Sequence, residues 1–270
     1  MKNKISFLFA VLMFVCTSLI AQNDILKIKQ TATVKASPTA HITSDNIGNL
    51  YVYDGSTIHK YDLAGALLYT YSETRYGEIA FVDASQPLKI LVFFRDFSKL
   101  ILLDNTMSII SPVSDLNAKG WDQVTLVCNG RNNEFVFYDE KNFELVKTDL
   151  NLKSLSSSGN LTAILGISLK PDFLLAYDNF ILLNNPSNGI LVFDEYGSYL
   201  KTIQCKDCAP IQAKDEKLFT VKKGILKTIG LKTNSVSEQA FPTQYEGVTI
   251  VYGNYFFVHD NDCIKIYRKD

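Results

Sequence analysis

Two cysteines three positions apart, Cys205 and Cys208, form the most specific chemical motif of the chain. Such a pair can carry thiol redox chemistry, supply half of a zinc site, attach haem, or close a local disulfide. Zinc would need a second ligand pair, and Cys128 and Cys263 stand alone. Haem attachment would need a His after the second cysteine, where Ala209 stands. In an oxidising compartment we therefore expect a local disulfide, with a redox role as the alternative.

Other residue types that could carry catalysis do not combine into a known constellation. His59 and His259 each follow a strand pattern without a nearby acid at matching spacing, which favours partly buried, hydrogen-bonded imidazoles. The chain contains no Gly-x-Ser-x-Gly elbow, phosphate loop or dinucleotide fingerprint. The Asp260-Asn-Asp262 run lacks the glycine and distal glutamate of a calcium hand, so it is read as a tight turn.

The first 21 residues have the layout of a secretory signal peptide. Lys2 and Lys4 precede an apolar stretch over residues 5–15, and the small Ala21 is the expected last residue removed. A transmembrane anchor would need about 20 apolar residues, which this stretch does not reach. A lipid anchor on Cys16 is the other alternative, but bulky Phe14 and Val15 precede it. We expect a signal peptide over residues 1–21 and a mature chain over residues 22–270.

The composition indicates a globular domain rather than a nucleic-acid-binding one. Removal of Lys2 and Lys4 moves the formal net charge from −1 to −3, so no basic excess remains to neutralise phosphates. The 47% hydrophobic content excludes a disordered chain. No later segment is long and apolar enough for a transmembrane span. The signal junction resembles those common in Bacteroidota, which favours the periplasm, with an outer-membrane-associated or extracellular location as alternatives.

Short apolar strands separated by polar turns recur along the mature chain, and 17 Phe and 14 Tyr suit such strands. Six related segments begin with Ile or Leu, and four end in Asp. They start about 41 residues apart on average, at Ile58, Leu100, Leu145, Ile190, Leu226 and Ile264. A period of this length with four strands is typical of a β-propeller blade. The sequence therefore predicts an all-β, six-bladed β-propeller in a single domain.

The two chain ends predict how the ring closes. The last repeat stops two residues after its Ile264–Arg268 segment, so we expect it to lack an outermost strand. The segment from Ile25 to Val34 is an additional strand that precedes the first repeat. We expect this N-terminal strand to complete the last blade, because pairing there removes an open sheet edge.

The first repeat resembles the NHL-type and TolB-like six-bladed propellers. The resemblance rests on the run from Asp45 to Asp54 and the following run from Ile58 to Gly65, with partial matches at residues 193–197 and 254–260. It covers most of the mature chain as architecture but about one blade as motif. It implies the fold and a binding face, and no catalytic residue, since such propellers share no obligatory catalytic set.

One polar position per blade precedes the innermost strand, where propellers usually bind ligands. These positions are His41, Glu78, Gln123, Asp172, Cys208 and Glu246. Three carboxylates and an imidazole, from Glu78, Asp172, Glu246 and His41, could hold a divalent cation such as calcium. Six-bladed calcium-dependent lactonases and phosphotriesterases bind metal in such a ring. The alternative is a set of ordinary polar residues at solvent-facing strand starts, without a cofactor.

Three loops between blades combine aromatic and charged residues at the same predicted channel mouth. They contain Arg75 with Tyr76, Trp121 with Asp122, and Tyr245. Tyr, Trp and Arg are enriched in the energetic centres of protein interfaces, so these residues are a candidate contact surface. The alternative is that some of these rings pack under neighbouring blades.

These observations favour a non-catalytic periplasmic or envelope propeller that binds a protein or peptide partner through the loops of one channel mouth. The competing hypothesis is a calcium-dependent hydrolase of the lactonase or phosphotriesterase type. Glycan or peptidoglycan binding through aromatic rings is a third hypothesis.

Overall fold

The computed structural model describes residues 25–206, 208, 210–242 and 247–269. The expected signal peptide and the candidate residues Tyr245 and Glu246 lie outside these ranges. Within them, the chain forms six four-stranded antiparallel sheets arranged as the blades of a β-propeller. The predicted fold class is confirmed. No helix in the described ranges is long and apolar enough to cross a membrane.

Strands are numbered along the chain, and β1 covers Ile28–Lys35. Blade 1 contains β2 to β5, at His41–Ser44, Leu50–Asp54, Thr57–Tyr61 and Leu67–Ser72. Blade 2 contains β6 to β9, at Phe81–Asp83, Ile90–Phe94, Lys99–Leu103 and Ser114–Asp115. Blade 3 contains β10 to β13, at Val124–Asn129, Glu134–Asp139, Glu144–Asp149 and Ser154–Ser157.

The second half of the ring repeats the same order. Blade 4 contains β14 to β17, at Phe173–Tyr177, Phe180–Asn185, Gly189–Asp194 and Tyr199–Ile203. Blade 5 contains β18 to β21, at Gln212–Lys214, Lys217–Lys222, Ile225–Gly230 and Val236–Ala240. Blade 6 contains β22 to β24, at Thr249–Tyr252, Tyr255–Asp260 and Cys263–Lys269. A 3-10 helix covers Asn117–Lys119 and a short helix, α1, covers Leu161–Leu165.

The N-terminal strand closes the ring as predicted. β1 pairs antiparallel with β24, from Ile28 opposite Lys269 to Lys35 opposite Cys263, so it is the outermost strand of blade 6. The pairing begins later than the predicted Ile25, which instead forms a parallel bridge with Ala240 of blade 5. Segment 25–35 therefore contacts both the last blade and the one before it.

Middle strands are apolar without alternation because each blade is covered on both faces by its neighbours. All five residues of β7, from Ile90 to Phe94, are buried. Their side chains divide between two cores, with Val92 packing toward blade 1 and Phe93 toward blade 3. Six such apolar clusters, one at each junction between blades, make up the core of the described chain. Burial on both faces explains runs that a one-sided sheet would not contain.

Candidate functional site

A cavity of about 590 Å³ occupies the centre of the ring. The four strands of each blade are lettered a to d from the innermost to the outermost. Strand a runs from the d–a loop, which connects it to the preceding blade, to the a–b turn before the second strand. The two ends of the channel are therefore called the d–a mouth and the a–b mouth. The cavity extends along the innermost strands of blades 1, 2, 4, 5 and 6 to their a–b turns. Its aromatic lining residues are Tyr53, Phe81, Phe173, Tyr177, Phe219 and Tyr252. This is the size and character of a ligand-binding cavity.

Blade 3 does not line the cavity, and an aromatic contact joins its two neighbouring blades. The rings of Phe81 in blade 2 and Phe173 in blade 4 meet edge to face, with centroids 5.9 Å apart. Strand β10 of blade 3 lies outside the cavity lining. Because Phe81 and Phe173 begin their strands, this contact narrows the channel toward the d–a mouth. The cavity is therefore asymmetric, with an aromatic wall on the side of blade 3.

Two of the four carboxylates that line the cavity accept hydrogen bonds from backbone N–H groups. Asp45 accepts hydrogen bonds from the backbone N–H of Ile47 and Asn49, the Asn49 amide and the Tyr51 hydroxyl. Asp83 accepts from the backbone N–H of Asn129 at 2.7 Å and joins blade 2 to blade 3. Both side chains are buried, so these two groups position the a–b turns.

Among the residues that line the cavity, the exposed charged ones at the a–b mouth belong to blades 4 and 5. Asp178 and Asp215 lie in the a–b turns with positive φ angles of 53° and 49°. Lys214 places its ammonium 4.9 Å from the centroid of the Tyr252 ring in blade 6. This cation–π contact holds Tyr252 at the cavity rim, so the rim is mixed in charge around an apolar interior.

Tyr53 and Gln212 are polar groups in the cavity wall. Burial raises the pKa of Tyr53, so its hydroxyl is neutral at physiological pH and acts as a hydrogen-bonding group. The Oε1 atom of Gln212 accepts from the backbone N–H of Val251 at 3.2 Å. Its Nε2 atom is buried without a hydrogen-bond partner in the described chain. The Gln212 side chain therefore joins blades 5 and 6 through Val251, and its Nε2 atom has almost no surface open to the cavity.

The three described residues of the predicted metal set are not part of this cavity lining. His41, Glu78 and Asp172 are exposed at or just before the starts of the innermost strands, at the d–a mouth. His41 stacks on Tyr53 with centroids 5.3 Å apart, and Asp172 accepts from the Asn184 amide at 2.6 Å. In the described ranges, which exclude Glu246, no three His, Cys, Asp or Glu side chains form a group that could hold a metal ion.

Two predicted contact aromatics take part in packing within the ring. Tyr76 packs edge to face on Phe94, with centroids 5.8 Å apart. Trp121 packs on Phe137 at 5.0 Å and donates from Nε1 to the Leu152 carbonyl at 3.4 Å. Both rings are half-buried, so their large apolar surfaces are already used between blades.

The charged neighbours of these rings each have an ion-pair partner. Arg75 donates to both carboxylate oxygens of the buried Glu73. Asp122 is exposed and lies 3.5 Å from the ammonium of Lys141. Of the predicted contact residues, Tyr245 lies outside the described ranges, as Glu246 of the metal set does.

The remaining motif residues have local roles. Cys205 and Cys208 are joined in a disulfide and are both buried in the core between blades 4 and 5. Cys128 is a buried free thiol in β10, and burial raises its pKa. The imidazole of His59 hydrogen-bonds the Thr70 hydroxyl, and that of His259 hydrogen-bonds the Ser37 carbonyl. Both histidines have the hydrogen-bonding role that the sequence favoured.

Sequence reasoning did not identify the tyrosines of the cavity wall. Tyr177 and Tyr252 end innermost strands at the a–b mouth, whereas Tyr53 lies in a second strand, opposite His41 at the d–a end. The available signal was positional: two of the short innermost strands end in a tyrosine directly before a turn.

Comparison with known proteins supports the architecture alone. No protein-family model matches the chain, and no curated protein matches it either. Virginiamycin B lyase from Staphylococcus aureus is similar in structure, with a TM-score of 0.59, 14% identity, and coverage of 91% of this chain and all of that one. BamB from Moraxella catarrhalis has a TM-score of 0.56 at 10% identity, covering 90% of this chain and all of that one.

A further similar structure is the WD40 domain of Neurospora crassa Pan2, with a TM-score of 0.55, 12% identity, and coverage of 91% of this chain and 97% of that one. A lyase, BamB and a WD40 domain therefore share the fold at low identity. At such identity a shared propeller carries no information about activity.

Proposed function

We propose that this protein is a non-catalytic binding propeller of the bacterial periplasm or envelope, and that it receives an apolar segment of a protein or peptide partner in its central cavity. The observation that carries the proposal is the cavity of about 590 Å³, lined by aromatic and aliphatic side chains and extending to the a–b turns. Apolar concave sites with a few placed polar groups are the usual form of a binding pocket.

The chemistry of the wall favours binding over catalysis. The buried carboxylates Asp45 and Asp83 are saturated by backbone and side-chain donors, which leaves them no proton-transfer role. At the rim, the exposed Asp178, Lys214 and Asp215 can pair with polar groups of an inserted segment. The rings around them supply apolar contact area with few rotatable bonds, which reduces the entropic cost of binding.

The binding surface we propose differs from the loops predicted at the d–a mouth. Part of the Tyr76 ring packs on Phe94, and part of the Trp121 ring packs on Phe137. Tyr177 and Tyr252 lie on the cavity wall. Location outside the cytoplasm is part of the proposal and rests on the signal-like segment over residues 1–21.

A peptide-display selection on the immobilised protein tests this function. We expect enrichment of peptides rich in apolar and aromatic residues, followed by calorimetric measurement of their affinity. Thr43 lines the cavity, so Thr43→Trp should fill it and weaken binding by about tenfold or more. Thr202→Trp on outer strand β17 is the matched control and should bind as the wild type does.

Five outcomes would contradict the proposal. Enrichment of no peptide, or equal affinity in the Thr43→Trp variant, would remove the central cavity as the site. Loss of binding in Asp122→Ala with retention in Thr43→Trp would move the site to the d–a mouth. Calcium-dependent hydrolysis of a lactone or phosphotriester, or binding of soluble oligosaccharides in place of peptides, would favour one of the other two hypotheses.

A further inference from the structure

Among the described residues, the outer strands form the open edges of the six sheets, apart from the bridge between Ala240 of β21 and Ile25, and most carry a feature that discourages pairing with another chain. Short length, charged side chains and coverage by other segments are the usual devices. β9 has two residues, and β13 has four, three of them serine. β17 contains Lys201, β21 contains Glu238, and β1 contains Lys29 and Lys35.

Strand β5 of blade 1 combines length, apolar side chains and the absence of charge. It has six residues, Leu67–Ser72, none of them ionised at neutral pH. Leu67 is 55% exposed, and Leu68 and Tyr69 are each 42% exposed. These large side chains stand beside the free edge of the sheet, where a pairing strand would cover them.

The hydrogen-bond register shows which backbone groups of β5 are free for pairing. The N–H of Glu73 donates to the Ser56 carbonyl, and Tyr71 and Tyr69 lie opposite Ile58 and Lys60 of β4. In an antiparallel ladder the backbone groups of alternate residues point to the same neighbour. The backbone groups of Thr70 and Ser72 therefore point away from β4, toward the open side.

We propose that β5 pairs antiparallel with β5 of a second copy of this chain, joining two first blades into one continuous sheet. The residues Tyr69-Thr70-Tyr71 read the same in both directions, so a two-fold axis at Thr70 sets Tyr69 of each copy opposite Tyr71 of the other. Thr70 then lies opposite Thr70 of the second copy, and Leu68 lies opposite Ser72 of the second copy. Aromatic and threonine cross-strand pairs are among the stabilising ones.

A second copy fits this edge because self-pairing brings no like charges together. The same symmetric pairing of β17 would set Lys201 opposite itself, and in β21 it would set Glu238 opposite itself. Like charges directly opposite one another destabilise a strand pair. A contact between two copies through the outside of blade 1 leaves the central cavity open, so this inference does not depend on the proposed function.

Sedimentation equilibrium of the mature protein over a dilution series tests the dimer. We expect a reversible monomer–dimer equilibrium in the wild type. Thr70→Lys places two ammonium groups opposite each other at the axis and should raise the dimer Kd by about tenfold or more. Leu200→Lys, on the corresponding outer strand of blade 4, is the matched control and should leave the Kd unchanged.

A purely monomeric wild type at every concentration would overturn the proposal. Equal weakening of the dimer by Thr70→Lys and Leu200→Lys would also overturn it, because the contact would then not be specific to β5. Thermal unfolding of each variant establishes that it is folded. If Thr70→Lys does not fold, Leu68→Lys replaces it, since Leu68 is exposed and lies opposite Ser72 in the proposed pairing.

Discussion

Arg75 keeps a nearly buried carboxylate charged at the end of the outer strand of blade 1. The Glu73 side chain is 7% exposed, and it accepts two hydrogen bonds from the Arg75 guanidinium and one from the Arg75 backbone N–H. Donation from Arg75 lowers the pKa of Glu73 below its ordinary value. The interaction arises within one turn, between residues two positions apart, and it consumes a group that the sequence marked as a candidate for partner contact.

This pair makes stability depend on pH at the acidic end. A carboxylate with a lowered folded pKa adds stability that is fully present above its unfolded pKa and is lost as pH falls through the folded one. We expect Arg75→Gln to lower the free energy of unfolding at pH 7 and to lose this effect once Glu73 is protonated in both proteins. Urea unfolding at a series of pH values measures the difference.

The exposed Arg95 provides a matched control for this measurement. Arg95→Gln should change the free energy of unfolding little at any pH, because it removes the same charge from a different turn. A difference between wild type and Arg75→Gln that stays constant from pH 7 down to strongly acidic solution would contradict the role given to Glu73.

At the scale of elements, the recurrent aspartates explain why the sequence repeat was visible. Asp62, Asp104, Asp149 and Asp194 follow or end the third strands of blades 1 to 4. Each uses Oδ1 to accept from the backbone N–H groups two and four residues later, at 2.8 or 2.9 Å. One side chain thus folds the turn into the outer strand, which is the general role of Asp in turns.

The fourth residue of each of these turns has a positive φ angle, and two blades tolerate a large side chain there. Gly65 and Gly197 fill the position in blades 1 and 4, with φ of 78° and 92°. Met107 and Leu152 fill it in blades 2 and 3, and both are buried in the core clusters. Burial of these side chains offsets the backbone strain of the left-handed conformation.

Loss of the turn carboxylate should cost a measurable part of the stability. Asp149→Ala removes both hydrogen bonds of the blade 3 turn, and we expect a decrease of about 1 kcal/mol in the free energy of unfolding. Asp149→Asn keeps an acceptor oxygen and should recover most of that loss. Chemical denaturation measures both, with the exposed Asp122→Ala as a control within about 0.5 kcal/mol of the wild type. Equal stability of Asp149→Ala and Asp122→Ala would be inconsistent with this role.

At the scale of the whole molecule, closure joins residues that are more than 200 positions apart in the chain. Val34 of β1 is 4% exposed and packs with Ile264 and Ile266 of β24 in the core between blades 6 and 1. The same strand supplies the outermost ladder of blade 6. Segment 25–35 therefore joins the two ends of the ring through both hydrogen bonds and apolar contact.

A charge buried in this strand should open the ring locally. Val34→Asp places an unpaired carboxylate in an apolar core, and we expect a loss of about 3 kcal/mol in the free energy of unfolding. Hydrogen exchange should accelerate most at the amides of β24 and least at those of blade 4. The exposed Val236→Asp is the matched control. If Val34→Asp left exchange in β24 at the wild-type rate, β1 would not close the ring in solution.

The asymmetry of the channel is also a property of the whole ring. Phe81 and Phe173 lie in blades that are not consecutive, and their rings meet across the channel while blade 3 between them does not line the cavity. Nothing in the local sequence around either phenylalanine distinguishes it from the aromatics of other strands. Only the curvature of the closed ring brings these two rings to 5.9 Å.

The sequence by itself determined the features that depend on neighbouring residues. Strand patterns and aspartate turns involve residues close together in the chain. The period of about 41 residues and the incomplete last repeat can be read along the chain. From these features the six blades and the closing strand could be predicted. The Cys205–Cys208 disulfide has the same origin, because its two residues are separated by three positions.

The tertiary structure alone decided which residues share a surface. The cavity wall contains side chains from five blades. Tyr76 and Trp121 pack on Phe94 and Phe137. The carboxylates of Asp45 and Asp83 accept hydrogen bonds from backbone N–H groups. The sequence pattern predicts which residues of each strand are buried, but it does not predict the distance between strands of different blades. Those distances result from packing six apolar cores around one axis, and for that reason the repeat predicted the architecture while the site became visible only in the closed ring.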